Sequence, residues 1–370
     1  MNYLKTNTTI QTKKVKGLIL SMNINTRTYD FMTYNVCNVH PSVITKKGAS
    51  VEKYGWFARR DRVFDVVKQV MPSFVCFQEI RDYEIAGKLV RMEGDFYKNL
   101  GGHSYDFVSA TNNGGGWSFR LLTAYRTDKY FKTGSYQWWN NAGNPENFGD
   151  FMDNEFGRVS LMCRFHPILE SPTKDGKSMV IKPDYDSIPV YIVNTHPGLK
   201  HQERMQHHKI LIDQAHKIIK NEKALLVVAG DFNCFPDDLG DEELALYEEA
   251  GFIDVNKLFT SDGLAINGTF LGYPEYDQFV PPLGKVGAHL DRMMIKAVNM
   301  EISIKYTAKV DVNRYDGMDK PLECLVDHLV DPLTGEDLRG RFPSDHLPVH
   351  VFAEIAPAAQ HPDEDGKEPE

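Results

Sequence analysis

Leu225-Leu226-Val227-Val228-Ala229-Gly230-Asp231-Phe232-Asn233 decides how this 370-residue chain is read. An unbroken apolar run this short, closed by a glycine and by turn-forming polar residues, is the pattern of a buried strand. Working outward, similar runs occur at Tyr29–Tyr34, Phe74–Phe77, Arg120–Tyr125, Arg158–Phe165, Val190–Asn194, Leu290–Ile295 and Pro348–Ile355, rich in β-branched and aromatic residues. Between them lie helix-like stretches at Phe57–Val70, Asp82–Lys98, Gln202–Lys220 and Asp241–Ala250. In the first of these, Val63, Phe64, Val66, Val67 and Val70 form one stripe, and Pro72 ends the element. Strands mixed with helices over more than 300 residues predict a layered α/β domain, sheets inside and helices outside.

The composition is that of a soluble globular protein, 42% hydrophobic and 25% charged. Its formal net charge of −9 argues against tight non-specific binding to nucleic acid, although a bound metal can supply positive charge at a site. The five cysteines, Cys37, Cys76, Cys163, Cys234 and Cys324, are odd in number, widely spaced and without a CxxC pair. They suggest buried thiols in a reducing compartment, not a disulfide framework or a zinc site. The apolar stretch Gly17–Leu20 is too short for a secretory core, and no membrane span is read, so a soluble intracellular protein is expected. Residues 1–28 read as a loose leader or an added edge strand, 29–355 as one domain, and 356–370 as a disordered acidic tail. The polar, turn-rich stretch from about 305 to 341 reads as an insertion beside the site.

Chemistry-bearing residues close the predicted strands, where loops of α/β sheets converge over a rigid scaffold. They are Asn35, Gln78-Glu79, Asn194-Thr195-His196, Asp231-Phe232-Asn233, Asp291 and Ser344-Asp345-His346. Singly, Asp231 and Asn233 read as turn formers and Glu79 as a first-turn helix carboxylate. Together they read as a phosphoester-cleaving site. A hard cation such as Mg²⁺ wants oxygen ligands, which Glu79, Asp345 and the amide of Asn35 offer. Phosphoryl chemistry also needs an oriented water, donors to the phosphoryl oxygens and help for the leaving oxygen. Asp231, Asn233, His196 and His346 supply those groups, and Asp291 suits the role of holding a histidine in one tautomer.

The order Met32-Thr33-Tyr34-Asn35-Val36, Phe77-Gln78-Glu79-Ile80, Asn194-Thr195-His196, Gly230-Asp231-Phe232-Asn233, Leu290-Asp291-Arg292 and Ser344-Asp345-His346-Leu347-Pro348-Val349 resembles the endonuclease/exonuclease/phosphatase superfamily. The resemblance implies a four-layer α/β sandwich, two mixed β-sheets packed face to face with helices on both outer faces. It implies Mg²⁺, with Mn²⁺ as a substitute, held by Asn35, Glu79 and Asp345. Asp231 then orients or deprotonates the attacking water beside Asn233, and His196 and His346 contact the phosphate. Asp291 pairs with His346. Asp231 and His346 remain alternative bases. Cys37 stands where many nucleases of the family carry an acidic or amide residue, which argues against a second metal and against abasic-site activity. Arg81 after Gln78-Glu79-Ile80 resembles the deoxyribonuclease branch and reads equally as a helix-start residue.

Three other features are left in structural roles. His201, His207 and His208 lie on a polar helix without HExxH spacing and are expected to face solvent with Arg204. Trp117, Trp138 and Trp139 are read as packing aromatics in preference to a base-stacking platform. Gly114–Gly116 lacks a following Lys-Ser/Thr and is read as a flexible turn. The expected function is a Mg²⁺-dependent phosphodiesterase or nuclease acting on a small phosphodiester or a short single strand in preference to a long duplex. The alternatives are a phosphomonoesterase on a sugar-phosphate or inositol-like substrate and a non-catalytic binding module on the same fold.

Overall fold

A computed structural model describes residues 27–37, 41–46, 48, 50–85, 88–111, 119–140, 144–146, 157–173, 178–234, 240–255, 269–272, 289–310 and 344–357. Of the expected leader 1–28 and tail 356–370, residues 1–26 and 358–370 lie outside the described residues, as do the glycine turn at 114–116 with Trp117 and the stretch 311–341. Arg27 and Thr28 instead open a central strand, and Ala356 and Pro357 close its neighbour.

Two mixed sheets pack face to face. In the first, β1 (Arg27–Asn35) and β2 (Phe74–Ile80) run parallel at the centre. They are flanked by β5 (Tyr105–Thr111), β6 (Arg120–Arg126), β14 (Ile302–Val310) and β15 (Val349–Pro357) in the order β14-β15-β1-β2-β6-β5. In the second, β10 (Val190–Thr195) and β11 (Ala224–Asp231) are the parallel pair. Around them lie β7 (Tyr130–Trp139), β8 (Val159–Pro172), β12 (Ile253–Asp254) and β13 (Asp291–Val298), ordered β12-β13-β11-β10-β8-β7, with β9 (Met179–Pro183) added to β8. Every other pairing in the two sheets is antiparallel. A parallel pair needs a crossover that covers one face. Helices α1 (Pro41–Lys46), α2 (Val51–Tyr54) and α3 (Trp56–Val70) lie between β1 and β2, and α5 (His201–Ile219) between β10 and β11.

These crossovers make the outer layers. Phe64 of α3 and Phe96 of α4 (Met92–Leu100) pack with Trp56 and Phe77 on one outside face. Leu211 and Ala215 of α5 join Tyr247 of α6 (Gly240–Glu249) and Phe252 on the other. The layer between the sheets is aromatic, Phe74 lying 5.0 Å from Phe165 and 4.4 Å from Tyr130 between ring centres. Strand β11 is buried at every position, because core lies on both its faces, and this explains its unbroken apolar run. The expected four-layer sandwich is the observed fold. No described helix is long and apolar enough to cross a membrane.

Two sequence expectations fail for local reasons. Asp82–Lys98 is not one helix. Asp82–Ile85 (β3) and Lys88–Arg91 (β4) form a hairpin, and only Met92–Leu100 is helical. Leu89 is exposed and Val90 buried, a period of two that the helical pattern obscured. Lys305–Val310, expected to open the insertion, belongs to β14 and pairs with β15 from Glu354 back to Val349.

Beneath the strand ends the inter-sheet layer turns polar. The Asn194 carboxamide, fully buried on β10, donates to the carbonyls of Phe77 and Leu122 at 3.1 and 3.2 Å and accepts from Gln78 Nε2 at 2.9 Å. One amide thus ties the two sheets together below the site. Truncating it leaves buried partners unsatisfied, and each such group costs about 1–3 kcal/mol. Asn194→Ala is therefore expected to lower unfolding free energy by about 2–4 kcal/mol, measured by urea denaturation; a loss below about 0.5 kcal/mol contradicts this account.

Candidate active site

The parallel pairs β1–β2 and β10–β11 end on the same edge of the sandwich, and their antiparallel neighbours β15 and β13 begin there. That topology gathers Asn35, Glu79, His196, Asp231, Asp291 and His346 from six separate segments. Asn35 Nδ2 stands at the centre, donating to Glu79 Oε1 at 3.1 Å and Asp231 Oδ2 at 2.9 Å, with His346 Nε2 at 3.5 Å. His196 Nε2 lies 3.5 Å from Asp231 Oδ2 and 4.0 Å from Glu79 Oε1.

Local backbone irregularities aim these side chains. Between Phe77 and Ile80 the β2–β6 register slips, so that Gln78 and Glu79 together face Leu121. Such a bulge redirects side chains. Gln78 turns into the inter-sheet layer and Glu79, at φ 62, reaches the site. Gly230 permits the approach of β11 to β10, since a Cβ there meets the Thr195 carbonyl oxygen at 2.0 Å. Past it, Asp231 Oδ1 accepts the Asn233 N–H at 2.9 Å, and Asn233 adopts φ 54. Asp231 and Asn233 are turn formers and site residues at once. The Asn233 carboxamide donates to Pro197 O at 3.0 Å, linking the two loops that carry Asp231 and His196.

The two histidines are driven in opposite directions. Burial pulls His196 down to about 4, against the attraction of Asp231. His346 is also buried, yet Asp291 Oδ2 lies 2.8 Å from its Nδ1 and Asp231 stands near, and together they hold it well above the ordinary value. Near neutral pH the site therefore carries a neutral His196 and a cationic His346. Asp345 is raised, first by burial and then by the charge of Glu79, while His346, the Cys37 thiol and Arg59 oppose the rise.

The sequence-predicted residues are thus brought together, with one qualification. Asp345 approaches Glu79 closely enough for repulsion, but its Oδ1 accepts from Ser344 Oγ at 3.2 Å. Glu79, His196 and Asp231 form the tighter group, their ligand atoms all within 4.8 Å of one another. Two carboxylates with a further carboxylate nearby suit a hard divalent cation. For Asn35 to ligate through oxygen its amide must turn over, because Oδ1 now accepts the Cys37 N–H at 2.9 Å. A second group, His208, Cys234 and Glu243, is equally compact. Arg204 Nε, at 2.9 and 3.0 Å, already neutralises both Glu243 oxygens, so the charge a cation would need is taken.

His207, His208, Arg204 and Glu203 are buried, contrary to the expected solvent-facing helix. Helix α5 is covered on its outer side by α6, so its polar side chains meet protein partners: Arg204 with Glu243, His208 with Tyr247 at 2.8 Å, His207 with Thr195 at 3.0 Å. His201 is half-buried, 2.8 Å from Glu243. Trp138 and Trp139 are buried as expected. The thiols of Cys37, Cys76, Cys163 and Cys234 are buried, also as expected.

Sequence reading missed several supports. Ser344 Oγ donates to Asn35 O at 2.7 Å, tying the approach to β15 onto β1. Thr269 Oγ1 accepts the Asp291 N–H at 2.9 Å. Asn140 reaches Ser160 at 2.7 Å and His207 at 2.6 Å, behind Thr195 and His196. Ser344 lies inside a motif and was findable; Thr269 and Asn140 have no sequence signal.

The family model for the endonuclease/exonuclease/phosphatase family matches residues 32–346, most of the chain. The chain belongs to that family. Its members are in general hydrolases of phosphoesters. Solved structures share the fold. A mannosyl-6-phosphatase from Bacteroides thetaiotaomicron aligns with TM-score 0.57 at 16% identity, over 89% of this chain and 99% of its own. A family member from Bacteroides vulgatus aligns with TM-score 0.57 at 19% identity, over 90% and 100%. The human nocturnin catalytic domain with bound sulfate gives 0.52 at 14% identity, over 89% and 95%. No curated protein matches the chain in sequence.

The Asp291–His346 pair gives a testable titration. A histidine raised in the folded state contributes stability that is full below its unfolded value, about 6.5, and is lost as pH rises through the folded value. In Asp291→Asn the His346 imidazole, followed by NMR, should titrate at least about one unit lower, and the unfolding free energy should fall below pH 6.5. An unmoved titration contradicts the pairing.

Proposed function

We propose that this protein is a Mg²⁺-dependent phosphoester hydrolase that cleaves a phosphodiester by attack of an activated water. The observation that supports it best is the convergence of Glu79 and Asp231 on one amide, with a neutral and a cationic histidine alongside. Glu79 with Asp345 would hold the cation, and Asn35 would join them only by turning its amide over and giving up the Cys37 N–H. When bound, the cation polarises a phosphoryl oxygen and neutralises developing charge.

The protein's own groups supply the remaining chemistry. Asp231 has Oδ1 fixed by the Asn233 N–H and Oδ2 aimed by Asn35 Nδ2, and the remaining lone pair of Oδ2 would orient a water and take its proton. His346 donates from Nε2 to a phosphoryl oxygen, because Asp291 fixes its Nδ1. His196 contacts a second phosphoryl oxygen in its neutral form. Asn233 joins the loops carrying Asp231 and His196, so water and phosphate are positioned together.

Substrate size follows from charge. Arg120 is tied to Asp82 at 3.4 Å and to Glu93, and Arg292 to Asp254 at 3.0 Å. Neither is available to a phosphate backbone without giving up its carboxylate. The pairing of these two arginines, with the net charge of −9, supports a small phosphodiester or a short single strand over a long duplex.

Two measurements test the reading. Hydrolysis of a panel of DNA, RNA, phospholipid, sugar-phosphate and p-nitrophenyl esters should vanish in EDTA and return with Mg²⁺ or Mn²⁺, and Glu79→Ala should lose about a thousandfold or more with its fold intact. Full activity in chelator overturns the metal reading, and turnover confined to monoesters overturns the diester assignment. For Asp231→Ala, binding of a short oligonucleotide should weaken by less than about tenfold between 50 and 200 mM salt, as for one to three phosphate contacts. A steep slope with nanomolar affinity for a long duplex points instead to a duplex nuclease.

A further inference from the structure

Arg59, on α3, is 1% exposed. Its Nε donates to Tyr54 O at 2.8 Å, Nη1 to Val36 O at 3.0 Å and Nη2 to Cys37 O at 2.6 Å. Burying a guanidinium is unfavourable unless its donors are met, and here main-chain carbonyls meet them. Two of those carbonyls belong to the residues immediately after Asn35. Cys37 sits at φ 52, a conformation that L side chains other than Asn and Asp adopt reluctantly. In that conformation its N–H returns to Asn35 Oδ1 at 2.9 Å and its thiol reaches Asp345. The guanidinium is therefore one bond from the turn that orients both residues.

We propose that Arg59 is a positioning residue: its planar fork clamps the Val36 and Cys37 carbonyls, holds Cys37 in its left-handed turn, and so fixes the Asn35 amide, whose Nδ2 holds the Glu79 and Asp231 carboxylates together where the divalent cation would bind. This rests on the reading of Glu79, with Asp345, as the holder of the cation. A lysine keeps the charge but is a compact point donor that cannot reproduce the fork. A role limited to gluing α3 onto the sheet would cost stability and leave the intrinsic affinity of the folded site for a cation unchanged.

The test is Mn²⁺ binding to the folded protein by calorimetry, with the phosphodiester KM and kcat measured in parallel. Arg59→Lys should weaken Mn²⁺ binding at least about tenfold, or about 1.4 kcal/mol, and lower kcat more than it changes KM. Glycine adopts the left-handed turn without strain, so Arg59→Lys with Cys37→Gly should recover to within about threefold of Cys37→Gly alone. If Arg59→Lys does not fold, Cys37→Val in the wild-type background asks the same question, since a β-branched residue resists that turn; it should lose Mn²⁺ affinity about tenfold. Wild-type affinity in Arg59→Lys or in Cys37→Val, or a double variant no better than Arg59→Lys, overturns the positioning role alone. A wild type that binds no Mn²⁺ overturns the cation reading and this proposal together.

Discussion

The primary amide of Asn35 brings together two like-charged carboxylates from different sheets, Glu79 of β2 and Asp231 of β11. Buried carboxylates repel strongly where the local dielectric is low, so their convergence depends on donors between them and on a scaffold that resists being pushed apart. The scaffold is the amide bridge below, where Asn194 and Gln78 lock the sheets. The donors are Asn35 and the cationic His346. The rest of the edge follows from keeping those two sheets in register, since each contributes one parallel strand pair and one antiparallel neighbour to the same rim.

Strain collects at this rim. Among the described residues, seven non-glycine positions have positive φ, and Cys37, Glu79 and Asn233 are three of them. Others lie at element ends: Met71 closes α3 in the left-handed conformation and Lys220 follows α5 at positive φ, their N–H groups returning to the Val67 and His216 carbonyls. The three at the rim end no helix. Each lies in the turn directly beyond a central strand or in its bulge, and each is held by bonds to a neighbour: Cys37 by Arg59, Asn233 by Asp231 and Pro197, Glu79 by Asn35. Unfavourable backbone maintained by surrounding contacts is typical of sites that need side chains in fixed directions.

The central strands were legible because their burial is complete. A run such as Leu225–Ala229 has no exposed face and its sequence shows it. The flanking strands β5, β7 and β9 were not: β9 is almost wholly exposed and β7 is buried only at its ends, which leaves little apolar signal above that of a loop, and the alternation of β5 spans only Tyr105–Ala110. The polar helix α5 misled for a related reason: a residue type implies exposure only if no partner is buried with it, and Glu243 of α6 is far from Arg204 in sequence but bonded to it in space. The residues at strand ends were legible as a group because their types suit one chemistry. Their supports, Asn140 and Thr269 among them, were not, because a hydrogen bond between distant segments leaves no local pattern.

The same electrostatics bear on why a cation suits this rim. Burial and the neighbouring Glu79 raise Asp345, while His346 and Arg59 oppose the rise; the acidic group is only partly compensated by the chain's own cations. In the proposed reading a divalent cation completes that compensation. It would then stabilise the folded form specifically, by about 2.7 kcal/mol at a hundred times its dissociation constant. A partly compensated acidic rim is costly to the fold as a structural element alone, yet it is a receptive one for a hard cation. The like charges that the two sheets must hold together are in this view the property that makes the edge useful, and the buried amides and Arg59 are what allow it to exist before the cation arrives.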